Sequence, residues 1–109
     1  VSLYNPFTED VLKIIKQIPY GYVMSYGQIA LCAGHPRGAR QVARLLHTMT
    51  KKHDLPWHRV VRKDGHIALS KGQGGSIQKE LLLQEGVGFK SEDVVDMSKH
   101  RYMLSLDSQ

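Results

Sequence analysis

The stretch SYGQIALCAGHPRGARQVARLLHTM, residues 25 to 49, decides the architecture. Ser25 followed three residues later by Gln28 is a capping box, in which each side chain satisfies the other residue's backbone amide. It opens a short helix through Ile29, Ala30, Leu31 and Cys32, and Gly34 supplies the stop. His35-Pro36-Arg37 makes the turn. From Gly38 to Met49 a third helix places Ala39, Val42, Ala43, Leu46 and Met49 on one side, while Arg37, Arg40, Arg44 and His47 recur at helical steps on another. A short helix, a tight turn and a basic second helix spell a helix-turn-helix.

Upstream, Phe7, Val11, Leu12, Ile14, Ile15 and Ile18 repeat at amphipathic spacing and predict a helix from Pro6 to Ile18 that packs on the core. Downstream, Lys51-Lys52-His53-Asp54 reads as a polar connection into Pro56. Val60 and Val61 then face Ile67 and Leu69 across Asp64-Gly65, a two-residue hairpin resembling a wing. Ser70 to Gly75 is a glycine-rich loop, and Ile77, Leu81 and Leu82 anchor a last helix ending at Glu85-Gly86. The expected fold is mainly α, a winged helix-turn-helix DNA-binding domain with a short β-hairpin. It forms one domain over residues 1–109, with its core at about 5–89 and a polar tail at about 90–109, in which Arg101 to Leu104 is a strand or a docked tail.

Composition narrows the function. The chain is 109 residues long, 41% hydrophobic and 23% charged, with a formal charge of +5 and a pI near 9.5. That balance favours a polyanionic partner, although a solvated basic surface would look the same. No apolar run approaches the roughly 20 residues of a membrane span, and there is no signal pattern, so a cytoplasmic protein is expected. The lone Cys32 excludes an internal disulfide, and the histidines are too dispersed for metal-ligand spacing. Neither a metal nor another cofactor is expected.

Pro56-Trp57-His58-Arg59-Val60 resembles the active-site loop of the DNA O6-alkylguanine alkyltransferases, which reads Pro-Cys-His-Arg-Val. With that loop continued to Val61, four segments match that family in order: Pro19-Tyr20-Gly21 with Val23 to Tyr26, Ala39 to Val42, the loop itself, and Lys79-Glu80 through Glu85-Gly86. With Trp57 at the acceptor cysteine's place, the chain most resembles the alkyltransferase-like, or DNA base-flipping, proteins. An indole offers an N–H and a stacking face but no thiolate.

The resemblance implies a non-catalytic sensor of O6-alkylguanine in double-stranded DNA that works from the minor groove, flips the base, bends the duplex and flags the lesion for nucleotide excision repair proteins. A monomer is expected. The family pattern assigns Arg40 as the finger that replaces the flipped nucleotide, and Tyr26, Trp57, Val60, Arg59 and Ser70 as the lesion pocket. Gly38, Ala39, Gln41, Arg37 and Arg44 are the DNA contacts, and Ala43 adds to the small face that a groove about 6 Å wide requires. His58 and Glu85, a catalytic relay in the transferases, become a structural brace, and Arg59 ties the loop to backbone carbonyls. The chain departs from the transferases at Met49, where an asparagine hinges the recognition helix. The rival readings are a sequence-specific winged-helix regulator and residual methyltransferase or glycosylase activity.

Overall fold

A computed structural model describes residues 4–67 and 75–104. The elements are α1 (Pro6–Gln17), β1 (Met24–Ser25), α2 (Tyr26–Cys32), α3 (Ala39–His53), a 3-10 turn (Trp57–Arg59), β2 (Val60–Val61), α4 (Gly75–Gln84), β3 (Phe89–Ser91), β4 (Val94–Val95) and α5 (Met97–His100). The fold is therefore mainly helical, with two short strand pairs. None of the helices is long and apolar enough to cross a membrane among the described residues.

The local signals behave as the sequence predicts. α1 starts where the Asn5 side chain accepts the Thr8 amide at 2.8 Å, and it buries Val11, Leu12, Ile14 and Ile15. The Ser25–Gln28 capping box is formed in both directions. α2 ends in a Schellman motif: His35 N–H reaches Ala30 O at 2.9 Å and Gly34 N–H reaches Leu31 O at 3.0 Å, with Gly34 at φ +90°.

Four expectations are corrected. First, α3 continues through Lys51, Lys52 and His53 and caps on Asp54 in the left-handed region. Those basic residues suit the negative end of a helix dipole, and His53 is held by the Tyr4 hydroxyl at 3.1 Å.

Second, Val60 and Val61 do not pair with Ile67. They pair in parallel with β1, Met24 opposite Val60 and Ser25 opposite Val61. Both valines are wholly buried, because successive side chains on a strand face opposite ways and each face here meets a core. Met24 and Val60 enter the core of α1, α2 and α3, whereas Val23 and Val61 enter a second cluster with Leu82, Val87 and Val95. The short pair thus joins two cores. Arg62 and His66 close the turn around Asp64-Gly65, Arg62 N–H to His66 O at 2.9 Å, and Ile67 N–H instead bonds Asp93 O at 3.0 Å. Leu69 lies outside the described residues.

Third, the segment beyond Phe89 is more than a polar tail. β3 and β4 form an antiparallel hairpin with Val94 and Val95 buried. The chain then docks along β1, with Val23 N–H to His100 O at 2.9 Å and Tyr102 N–H to Val23 O at 2.8 Å. α5 follows α4, which is therefore not the last helix.

Fourth, α4 is anchored by Leu82 and Gln78, while Ile77 is exposed.

Candidate lesion pocket and nucleic-acid interface

The loop at Pro56 to Val60 is fixed from below by one carboxylate. Glu85, just past α4, accepts from His58 Nε2 at 2.6 Å, from Arg59 Nε at 3.0 and 3.1 Å, from Arg59 Nη2 at 2.9 Å and from the Gly21 amide at 2.9 Å. Burial opposes ionisation of Glu85, but the hydrogen bonds from Arg59, Gly21 and His58, with the charge of His58, outweigh it and bring the carboxyl from 4.5 to about 2. Glu85 is a carboxylate at any physiological pH.

Arg59 also donates to Ile18 O at 2.9 Å and lies over the Tyr20 ring. Gln78, 2% exposed, donates its side-chain amide to His58 O at 3.2 Å and Val60 O at 3.0 Å. Gly21 carries a further tie. Gly88 N–H donates to His100 Nε2 at 2.9 Å, which leaves the ring proton on Nδ1 to reach Gly21 O at 3.1 Å. The loop is thereby bonded to α4, to the chain after α1 and, through Gly21, to the docked C-terminal segment.

Trp57 rides on this brace. It is partly exposed, packs against the main core and meets the His58 ring edge-on, with centroids 6.2 Å apart. Tyr26, at the first position of α2, packs against the same core. Burial raises its hydroxyl above 10, with the positive charge of Arg62 partly offsetting this, so the phenol stays neutral.

The expected pocket residues therefore divide. Tyr26 and Trp57 present surface beside one core. Val60 is wholly buried, so its side chain supports the site without lining it. Arg59 is turned into the brace, as its expected tie to a carbonyl requires, although its main partner is Glu85. Ser70 lies outside the described residues.

On α3, Val42 and Leu46 face the core, while Arg40, Gln41, Ala43 and Arg44 are exposed and Ala39 is half-buried. Ala43, placed with the core residues by periodicity, is exposed instead. Arg37 is exposed in the turn. Gly38 is different. It is buried, and a Cβ there would sit 3.1 Å from His35 O and 3.2 Å from the Phe7 ring, so its smallness answers to packing inside the protein. From Val11 to His53 the chain has no Asp or Glu, so no carboxylate of the helix-turn-helix competes for these arginines. Among the described residues no three His, Cys, Asp or Glu side chains gather as a metal site would need. Cys32 is half-buried against the main core.

Residues 6–87 match the sequence model of the 6-O-methylguanine DNA methyltransferase DNA-binding domain, and the chain belongs to that family. Within it, the likeness is to the alkyltransferase-like, base-flipping members. The chain is 41% identical over 98 residues to the DNA base-flipping protein of Escherichia coli K12, covering 90% of this chain and 75% of that one. It is 35% identical over 103 residues to alkyltransferase-like protein 1 of Schizosaccharomyces pombe, covering 94% and 91%. Its fold matches the crystal structure of S. pombe Atl1 in complex with damaged DNA containing O6-carboxymethylguanine at a TM-score of 0.81, with 29% identity over 94% of this chain and 100% of that one.

Proposed function

We propose that this chain is a non-catalytic sensor of O6-alkylguanine in duplex DNA. The observation that carries the reading is the Trp57 loop: the His58–Glu85 pair is intact at 2.6 Å, yet the residue it would serve in a transferase is an indole. A thiolate nucleophile is missing from the loop, and Cys32, on α2, packs against the core as a small apolar side chain. Arg40 enters the stack from the minor groove in place of the flipped nucleotide, and Tyr26 crowds the adjacent phosphate. Tyr26 and Trp57 receive the base, and the widened groove bends the duplex. Gln41, Arg37 and Arg44 hold the backbone.

Extrusion costs a few kcal/mol and less where alkylation has weakened pairing, while stacking on Trp57 returns about 1–3 kcal/mol. The protein acts as a monomer in the cytoplasm, and nucleotide excision repair proteins act on the flagged site.

Competition between an O6-methylguanine duplex and the same unmodified sequence at matched salt tests this. The lesion duplex should bind more tightly, with no label transferred to protein and no abasic product. Equal affinity would favour a sequence-specific regulator, and labelled protein or an abasic strand would make the chain an enzyme.

Trp57→Ala should lower lesion affinity about 5- to 150-fold, the equivalent of one lost stack, and leave undamaged binding nearly unchanged. Equal losses on the two duplexes would remove the indole from the pocket.

A further inference from the structure

Two basic residues outside the family's assigned site line one recess beside the start of α2. A recess of about 370 Å³ opens between Ser25 and Gly27 at the start of α2, Pro36 of the turn, Lys63 and Arg101. It adjoins a second recess of about 430 Å³ that contains Pro36, Arg37 and Gln41. Pro36, itself exposed, borders both, so the two recesses lie on either side of it, one toward the start of α3 and the other toward Lys63 and Arg101.

Both cations are exposed and differently held. Lys63 sits on the turn that follows β2, and no hydrogen bond or ion pair engages it among the described residues. Arg101 is delivered by the docked C-terminal segment: its Nε donates to Gln28 Oε1 at 3.4 Å, and the Gln28 amide donates to Tyr102 O. That hydrogen bond holds the stem of Arg101, and among the described residues no hydrogen bond or ion pair engages its terminal nitrogens. Among the described residues no carboxylate lines the recess. The nearest in sequence, Asp64, is turned onto His66 Nδ1 at 2.8 Å.

We infer that Lys63 and Arg101 form a second anchor for the DNA phosphodiester backbone, separate from the α3 surface and from the lesion pocket. The inference rests on the proposed DNA-binding function. Two cations that no described carboxylate faces, across Pro36 from Arg37, fit a polyanion strand that continues beyond the flipped base. Such anchors position a protein without reading bases, so they act equally on damaged and intact duplex.

The experiment measures affinity of the whole chain for O6-methylguanine and unmodified duplexes between 50 and 200 mM salt. In Lys63→Gln/Arg101→Gln the slope of log affinity against log salt should be shallower by about 1.8, about 0.9 for each phosphate no longer neutralised, with the lesion preference unchanged. Lys63→Gln alone leaves the Arg101–Gln28 hydrogen bond in place and should remove about 0.9, which guards against a folding defect in the double variant.

A wild-type slope in Lys63→Gln would overturn the inference while leaving the sensor reading intact. A fall in lesion preference would assign the recess to the lesion pocket and also overturn it. Wild-type protein without salt-dependent binding to either duplex would overturn the functional reading together with this one.

Discussion

Glu85→Ala should destabilise the protein by about 3–5 kcal/mol, the range for removing one partner of a buried ion pair. Glu85 and Arg59 side chains are 7% and 17% exposed, so the guanidinium left behind would have little water to replace the carboxylate. Three losses coincide. Arg59 loses its bidentate acceptor, the Gly21 amide loses its only described partner, and His58 loses the group that orients it. Urea unfolding at pH 7 would register the effect, and a loss under about 1 kcal/mol would mean that the loop stands without its brace.

Glu85→Gln separates charge from shape. It can still accept from Gly21, so its loss should be smaller, and it should alter the pH profile.

The sign follows from the carboxyl lying at about 2 in the folded chain against 4.5 ordinarily. A depressed folded-state value adds stability that is fully present above the unfolded value and is lost as pH falls through the folded one. The contribution, about 3 kcal/mol, should therefore hold from neutrality to about pH 5 and disappear between there and about pH 2. In Glu85→Gln that part of the acid limb should be absent. An unchanged acid limb would remove Glu85 from the set of groups that hold the fold at low pH.

The same brace shows what the sequence makes legible. Helix α1, the Ser25–Gln28 box and the Gly34 stop follow from signals within a few residues, and all are found where they are expected. The pairing of Met24 with Val60 is nonlocal, and Val60-Val61 beside Asp64-Gly65 imitates the nearer hairpin. A sign was present: two adjacent valines offer no polar face, as a strand buried on both sides requires and a solvent-facing wing does not.

Helix α3 outruns its apolar pattern because lysines favour helices and Tyr4 secures His53 from 49 residues away in the chain. Glu85 is identified with His58 through the family resemblance, but its capture of Arg59 and Gly21 depends on three segments meeting. Gln78 carries no sequence signal; its burial beneath two loop carbonyls emerges only from the packing of α4. Lys63 and Arg101 escape notice for the same reason, since a strand turn and a docked terminus bring them together.

Gly65→Ala should cost about 2–5 kcal/mol, combining left-handed backbone strain of about 1–2 with overpacking of about 1–3. Gly65 stands at φ +96°, and a Cβ would lie 2.5 Å from Val95 O, 3.1 Å from Met97 Cγ and 3.3 Å from Val95 N. The first and last are backbone atoms of β4, and Val95 N–H donates to Gly65 O at 2.9 Å, so the strand cannot withdraw without breaking that bond. Gly27→Ala is the matched control, because nothing lies within 4 Å of its Cβ position and alanine favours the helix it occupies. It should be neutral or stabilising by urea unfolding. The loss in Gly65→Ala should also be local: amide exchange at His66, Ile67 and Val95, where the turn meets the β3–β4 hairpin, should accelerate before that of α1. If Gly65→Ala unfolds like wild type and those amides keep their protection, the turn is not wedged against β4, and the second core does not need a glycine at this joint.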